Sequence, residues 1–409
     1  MMVFWIGLNI LATEALRTLL GTDVPAWAVL LASSGPLYVV AMPLSMLAFT
    51  RVPVIRTRQY PMKAGEFIQI FVMCIPVMFL GNMIGNILSA GATDGQATNR
   101  INDVILGSDW RVNALFIGLL APVCEEWIFR KEIISRLRRY GEKTAIMFSA
   151  LAFALFHMNV FQFFYAFGLG LMFGYVYTRT SRLRYSVAMH MLINLNGSVL
   201  APLVIQQIDP RILDGTVSEA EIMRMAETGN MGGMGIMMLY GTVMLGLCIA
   251  GIVLLITKRK SWEFYLAPEE LPAGLKIRTA YANPGVIAYL LLTVMLTGWN
   301  EIAPLGQVDA RHEASGEGVD RHRDHAVAAA PHHVDGDPVV ARQDEEPFAP
   351  AVDDLLNLAD VARRLLDTDD VGEIGGDAQR RLGGHVDARA ACDRSEEHTS
   401  ELQSLCCIS

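Results

Sequence analysis

Long apolar runs, broken at intervals by short polar stretches, dominate the chain from Met1 to about Leu305. A helix crosses the hydrocarbon core of a bilayer in about 20 residues. By that measure the apolar runs predict spans at roughly 26–49, 66–90, 112–130, 144–160, 162–178, 186–205, 234–257 and 285–300. Residues 2–20 offer a further span, weakened by Glu14 and Arg17. The expected fold class is all-α: a polytopic transmembrane helix bundle of about eight spans, followed by a non-membrane tail.

The polar stretches carry charge in alternation. Arg51, Arg56, Arg58 and Lys63 fill one loop, and Lys131, Arg136, Arg138, Arg139 and Lys143 fill the next but one. Arg179, Arg182 and Arg184 follow, then Lys258, Arg259 and Lys260. The loops between are neutral or acidic, as in 206–228 with Asp209, Asp214, Glu219, Glu221 and Glu227. An excess of Lys and Arg marks cytoplasmic loops, so the basic stretches are expected to face the cytoplasm. Span count and charge pattern are independent signals, and they agree.

Composition changes the picture past residue 305. The whole chain is 52% hydrophobic and 18% charged, with a net charge of −9, but these figures average two unlike parts. Residues 306–409 are rich in Asp, Arg, His, Ala and Gly, with no run able to cross hydrocarbon. Residues 394–404 match the conceptual translation of a common sequencing adapter. The tail is therefore expected to be an assembly artefact, with the frame lost near residues 299–305. The alternative is a disordered acidic tail. It is set aside from fold and site reasoning, together with its seven scattered histidines.

In the membrane part, Cys74, Cys124 and Cys248 stand singly inside apolar stretches. That spacing supports neither a disulfide framework nor a zinc ribbon. Cys124 precedes a glutamate pair, yet a small packing residue is the plainer reading than a nucleophile. The N-terminus lacks a basic segment followed by a small-residue cleavage site, so no signal peptide is expected. Nothing points to a nucleotide site or to nucleic acid.

Only two histidines remain outside the tail, His157 and His190, and both fall within or at the end of apolar spans. Glu125 and Glu126 also lie in a span. Ionisable groups inside a membrane are costly and usually face a bundle interior or a watery cavity. Glu126 and Arg130, Phe153 and His157, and His190 and Asn194 are each four residues apart, so each couple shares one helix face. A carboxylate and an imidazole around one water can act as a general base and return the proton to a leaving amine. A second imidazole and an amide can donate hydrogen bonds to an oxyanion. Alternatively Glu125, His157 and His190 could hold a divalent metal such as zinc, although His-Glu-x-x-His is absent. Interhelical polar packing is the bland alternative for His190 and Asn194.

Glu125-Glu126-x-x-x-Arg130, Phe153-x-x-x-His157 and His190-x-x-x-Asn194, in this order on successive spans, resemble the three-motif signature of the CPBP family. That family contains the type II CAAX prenyl endopeptidases and the bacteriocin-processing or self-immunity proteins. The string from Arg136 through Tyr140-Gly141-Glu142-Lys143 and the stretch from Phe156 to Gly197 are similar to its bacterial members. The resemblance implies that Glu125 and His157 activate the hydrolytic water and that His190 and Asn194 stabilise the oxyanion. Glu126, Arg130 and Phe153 then belong to the motif as structural residues. It implies a catalytic helical core at 66–205, flanked by transmembrane segments at 1–65 and 206–305. It also implies a peptide or lipidated protein substrate, and either a metal-free or a metal-dependent mechanism, the metal-free one being preferred. A multi-pass protein of a bacterial cytoplasmic membrane is expected. A proton-coupled transporter is the alternative from another class, though no repeated halves are evident; a non-catalytic membrane scaffold is the third. One spacing fits poorly: at 1.5 Å per residue, His157 lies roughly 20 Å beyond Lys143, whereas His190 lies roughly 9 Å beyond Arg184.

Overall fold

The computed structural model describes residues 1–21, 24–55, 57–93, 99–213, 217–228 and 232–314, and the expectations for the tail fall outside these. Residues Met1–Gly306 form one unit, whose described part contains helices and no strand. Its principal helices are α1 (Met2–Leu20), α2 (Trp27–Phe49), α3 (Ala64–Ala92), α4 (Arg100–Leu106) and α5 (Trp110–Tyr140). They continue as α6 (Glu142–Phe156), α7 (Val160–Thr180), α8 (Leu183–Ile205), α9 (Gly233–Thr257), α10 (Ala273–Tyr281) and α11 (Pro284–Ala314). Among the described residues seven of these are long and apolar enough to cross a membrane. An eighth is available if α10 and α11, bent by 68° at their junction, count as one. Backbone groups in hydrocarbon must be paired within their own segment, which favours helices throughout.

Two expectations shift. Residues 2–20, weakened on paper by Glu14 and Arg17, form a full candidate span. The span expected at 144–160 is instead the 15-residue α6. At 1.5 Å per residue α6 reaches only about 22 Å, short of the roughly 30 Å hydrocarbon core. It ends where the His157 and Met158 N–H groups turn back to the carbonyls of Ala154 and Leu155, three residues behind. Met158 then enters the left-handed region at φ 48°, and the Asn159 side chain accepts the Gln162 N–H to start α7.

α6 and α7 thus form a tight hairpin, clamped at its open end by an ion pair between Glu142 and Arg179. α7 is the centre of the bundle and packs along α3 on its other side. Gly81 and Gly85 of α3 make that approach possible. A Cβ on Gly81 would lie 2.4 Å from the Tyr165 nitrogen, and one on Gly85 would lie 2.8 Å from the Phe161 carbonyl oxygen. Small residues four apart let helices approach closely in lipid, where no hydrophobic effect drives them together. Behind this seam Met73, Cys74, Phe173, Val176 and Met189 form a buried core.

The basic stretches gather at one end of the bundle. Arg138 donates to Ser181 Oγ (3.0 Å) and to the Thr178 carbonyl (3.2 Å). The Tyr60 N–H meets the Thr180 carbonyl at 2.8 Å, and the Glu269 N–H meets that of Arg139 at 3.1 Å. Loops widely separated in sequence therefore share one face, as a common cytoplasmic side requires. At the other end Asn159 donates to Asn99 (3.0 Å), and Asn300 donates to the Met158 carbonyl (3.0 Å). The flanks of α9 expose Met238, Leu239, Leu245 and Val253, an apolar surface suited to lipid.

Candidate active site

Prolines shape the helices around the site. Each of α2, α5 and α8 contains a stretch of wide π-helical turn: Leu37–Ala41, Ala114–Leu120 and Asn196–Leu200. Each stretch ends two residues before a proline, namely Pro43, Pro122 and Pro202. Proline lacks an N–H and crowds the carbonyl four residues back, and a π-turn widens the helix there. In α5 the Ala121 N–H reaches five residues back to the Phe116 carbonyl. The next bond in that register would run from residue 122 to Ile117, and Pro122 cannot make it. Asn194 of α8 takes the vacancy, donating from Nδ2 to the Ile117 carbonyl at 2.9 Å. A carboxamide has two N–H bonds, so the second stays available to the cavity that Asn194 lines.

One turn past Pro122, Glu125 and Glu126 point to different surroundings. Glu126 is fully buried and pairs with Arg130 Nε at 3.2 Å. Arg130 is itself fully buried, its guanidinium carbon 4.5 Å from the Phe153 ring centre and 5.6 Å from that of Phe173. Arg130 Nη1 and Nη2 have no hydrogen-bond partner among the described residues, so the two aromatic faces supply the remaining compensation for the charge. The other Glu126 oxygen lies 3.1 Å from His190 Nδ1. A carboxylate oxygen held by an arginine accepts, so Nδ1 of His190 donates and its Nε2 faces outward. That Nε2 lies 3.7 Å from the Glu125 carboxylate.

His157 is fixed by a different partner. Its Nδ1 lies 2.9 Å from the Phe153 carbonyl, one of the acceptors left open at the end of α6. A carbonyl only accepts, so Nδ1 carries the proton and Nε2 presents a lone pair. Phe153 also levels the two histidines: its ring centre is 4.9 Å from that of His157 and 5.7 Å from that of His190, both edge to face. The disparity in depth measured from the basic loops is thus bridged by one phenyl ring.

Glu125, Phe153, His157, His190 and Asn194 all line a single cavity of about 570 Å³, while Glu126 and Arg130 stand behind its wall. Glu125 retains 12% side-chain exposure and His190 only 5%, so the carboxylate is the more accessible of the pair. Cys124 is partly buried and packs against the adjoining core. The cavity also takes in Tyr38, Gln162, Tyr165 and the asparagines Asn82, Asn86 and Asn102, which the motif pattern did not single out. Their signal in the sequence was present: paired asparagines at 82 and 86 inside an apolar run are as conspicuous as an intramembrane glutamate.

Among the described residues no three His, Cys, Asp or Glu side chains gather as metal ligands would. His190 Nδ1 and His157 Nδ1 each have a partner behind them, which leaves Nε2 of both rings toward the cavity.

Comparison with known proteins bears on residues 107–196, which match the Rce1-like family model, described as type II CAAX prenyl endopeptidase Rce1-like. The chain is 31% identical over 125 residues to a membrane-embedded CAAX protease of Staphylococcus aureus, MroQ. That alignment covers 29% of this chain and 48% of the relative, so the chain spans about half the length of the curated protein it matches. No solved structure gives a match.

Proposed function

We propose that the chain is an intramembrane endopeptidase of the CPBP family that hydrolyses peptides without a covalent intermediate, a reading supported by its Rce1-like segment. The observation that carries this reading is the convergence of Glu125, His157, His190 and Asn194 on one cavity, with each histidine's Nδ1 committed to a partner behind it.

In the proposed reaction a water held between Glu125 and His157 Nε2 loses a proton to this pair as its oxygen attacks the scissile carbonyl carbon. The carbonyl oxygen becomes an oxyanion, which accepts from Asn194 Nδ2 and from His190 Nε2–H. With Nδ1–H of His190 donating to Glu126, donation from Nε2–H as well requires the imidazolium form, in which both ring nitrogens are donors. Glu126, paired with Arg130, and Glu125 are the carboxylates that face it. Collapse of the tetrahedral intermediate breaks the C–N bond, and the stored proton passes to the leaving amine. Water and peptide are consumed; a carboxylate and an amine are released. A bacterial cytoplasmic membrane is the proposed setting, with a membrane-associated peptide or lipidated protein as substrate.

The test is cleavage of a quenched fluorogenic peptide library by the purified protein in detergent, with chelator present throughout. The wild type is expected to cleave under these conditions. Glu125→Gln is expected to lower kcat by roughly 10²–10⁴-fold, and Asn194→Ala by roughly 10²–10³-fold. Unchanged turnover by Glu125→Gln removes the assignment. Activity that disappears with chelator and returns with zinc replaces the metal-free mechanism with a metal-dependent one.

A further inference from the structure

The cavity is not centred between the two ends of the bundle. Trp5, His190 and Ile193 apart, the residues that line it come from the middle of their helices or from the part remote from the basic loops. On α3 the lining begins at Met78, fifteen residues beyond Lys63. On α5 it stops at Glu125, before Arg130 and the basic stretch that follows. On α8 it runs from His190 outward to Ala201, and on α9 it is Tyr240, near the helix start and far from Lys258. Exposure grades the same way: Glu125 and His190 sit at the floor, whereas Asn82, Asn86, Asn102 and Gly197 are exposed at the rim.

The chemistry of the walls is as one-sided as their position. Glu125 is the only Asp, Glu, Lys or Arg lining the cavity among the described residues. Beyond the two histidines at the floor, the polar surface comes from uncharged groups, above all carboxamides. Asn86 donates to both the carbonyl and the side-chain oxygen of Asn82 at 2.8 Å, which orients the two amides as a pair one helical turn apart. The Tyr240 hydroxyl holds Asn196 Oδ1 at 3.4 Å on the opposite wall. A carboxamide offers one acceptor and two donors, the complement of a peptide group in extended chain. A charged side chain brought into the rim of such a cleft would lose its hydration and find no opposite charge there, Glu125 lying at the floor.

We propose that this cavity receives its peptide from the membrane face opposite the basic loops, the extracytoplasmic face by their charge, as an extended uncharged segment gripped by Asn82, Asn86 and Asn102. The inference rests on the protease reading for what happens at the floor of the cavity, but the route and the chemistry of the walls are tested without any hydrolysis. Asn86 and Asn102 are replaced one at a time by cysteine in a Cys124→Ser background, with Arg58→Cys as the marker of the basic face. Membranes are prepared as right-side-out and as inverted vesicles and treated with a membrane-impermeant maleimide.

Asn86→Cys and Asn102→Cys are expected to label in right-side-out vesicles, and Arg58→Cys only in inverted ones. Labelling of both asparagine positions from the Arg58 side alone, or from neither side, overturns the route. In right-side-out vesicles an excess of the acetylated amide of (Ala-Leu)₃ is expected to slow labelling of Asn86→Cys at least fivefold, and (Lys-Leu)₃ to leave it unchanged. Equal protection by both, or by neither, overturns the uncharged grip. If labelling follows the expected pattern while the wild type cleaves nothing, the catalytic reading fails and the route stands. Cleavage by the wild type with labelling from the basic face gives the converse.

Discussion

At the residue scale the fold's most demanding group is Arg130, a fully buried guanidinium inside a membrane protein. Its compensation is short: one ion pair to Glu126 at 3.2 Å and two phenyl faces. Removing one member of a buried pair costs about 3–5 kcal/mol, because the survivor is left uncompensated. Glu126→Gln is therefore expected to lower the unfolding midpoint in detergent markedly and to reduce cleavage, since His190 loses the carboxylate that orients it. Replacing both partners by apolar groups of similar volume, Glu126→Leu with Arg130→Met, is expected to recover most of the stability and none of the activity. Thermal unfolding and peptide cleavage on the same preparations separate the two effects. A double variant that regained full activity would show that Glu126 has no role in orienting His190. The sequence made the Glu126–Arg130 couple legible, because a spacing of four fixes neighbours on one helix whatever the tertiary structure. It could not make the His190–Glu126 contact legible. Those residues stand 64 apart on different helices, and no periodicity within either helix encodes which face meets which.

At the scale of elements the decisive feature is the proline-ended π-turn. Pro43, Pro122 and Pro202 were visible as letters, but a proline in an apolar run reads equally well as a kink, a break or a tolerated interruption. Its consequence here depends on a partner from another helix: the Ile117 carbonyl is vacant because of Pro122 and is filled by Asn194. Pro122→Ala restores an N–H at residue 122 and removes the ring that crowds the turn. The new N–H competes with Asn194 for Ile117 or lets the turn tighten to an ordinary α-helix. The expected result is a helix at least as stable as the original, since alanine is the better helix former, with kcat reduced about 10-fold or more as the oxyanion donor loses its anchor. Equal kcat in Pro122→Ala and wild type would detach the π-turn from catalysis. The shortened α6 carries the same lesson. Its apolar run was long enough to suggest a span at 144–160, yet the run includes the turn at His157–Asn159. Hydrophobicity measures whether a residue tolerates lipid, and a loop buried against protein tolerates it too.

At the scale of the whole molecule the all-helical membrane architecture and most of its spans were legible because run length is a property of the chain alone. The arrangement of the spans was not, because in lipid the contacts that sort helices are close backbone approaches at small residues. The α3–α7 seam shows what was hidden. Gly81 and Gly85 each lie so near α7 that a Cβ would meet backbone atoms at 2.4 Å and 2.8 Å. Gly91, on the same helix, has nothing within 4 Å of where its Cβ would sit. All three are glycines in one apolar run, and composition does not distinguish them. Backbone cannot yield as a flexible side chain can, so Gly85→Leu must push α3 away from Val160 and Phe161. That displacement acts on the site as a whole, since Asn82 and Asn86 on α3 face Gln162 and Tyr165 on α7 across the same cavity. Gly85→Leu is expected to lower both the unfolding midpoint and cleavage, while Gly91→Leu leaves both within error of wild type. The comparison is made on purified protein by thermal unfolding in detergent, alongside the peptide assay. Overpacking of this kind typically costs about 1–3 kcal/mol, enough to shift a melting curve clearly. Equal behaviour of the two variants would mean that α3 and α7 do not approach through Gly85, and the cavity walls would then have to be redrawn around a different helix pair.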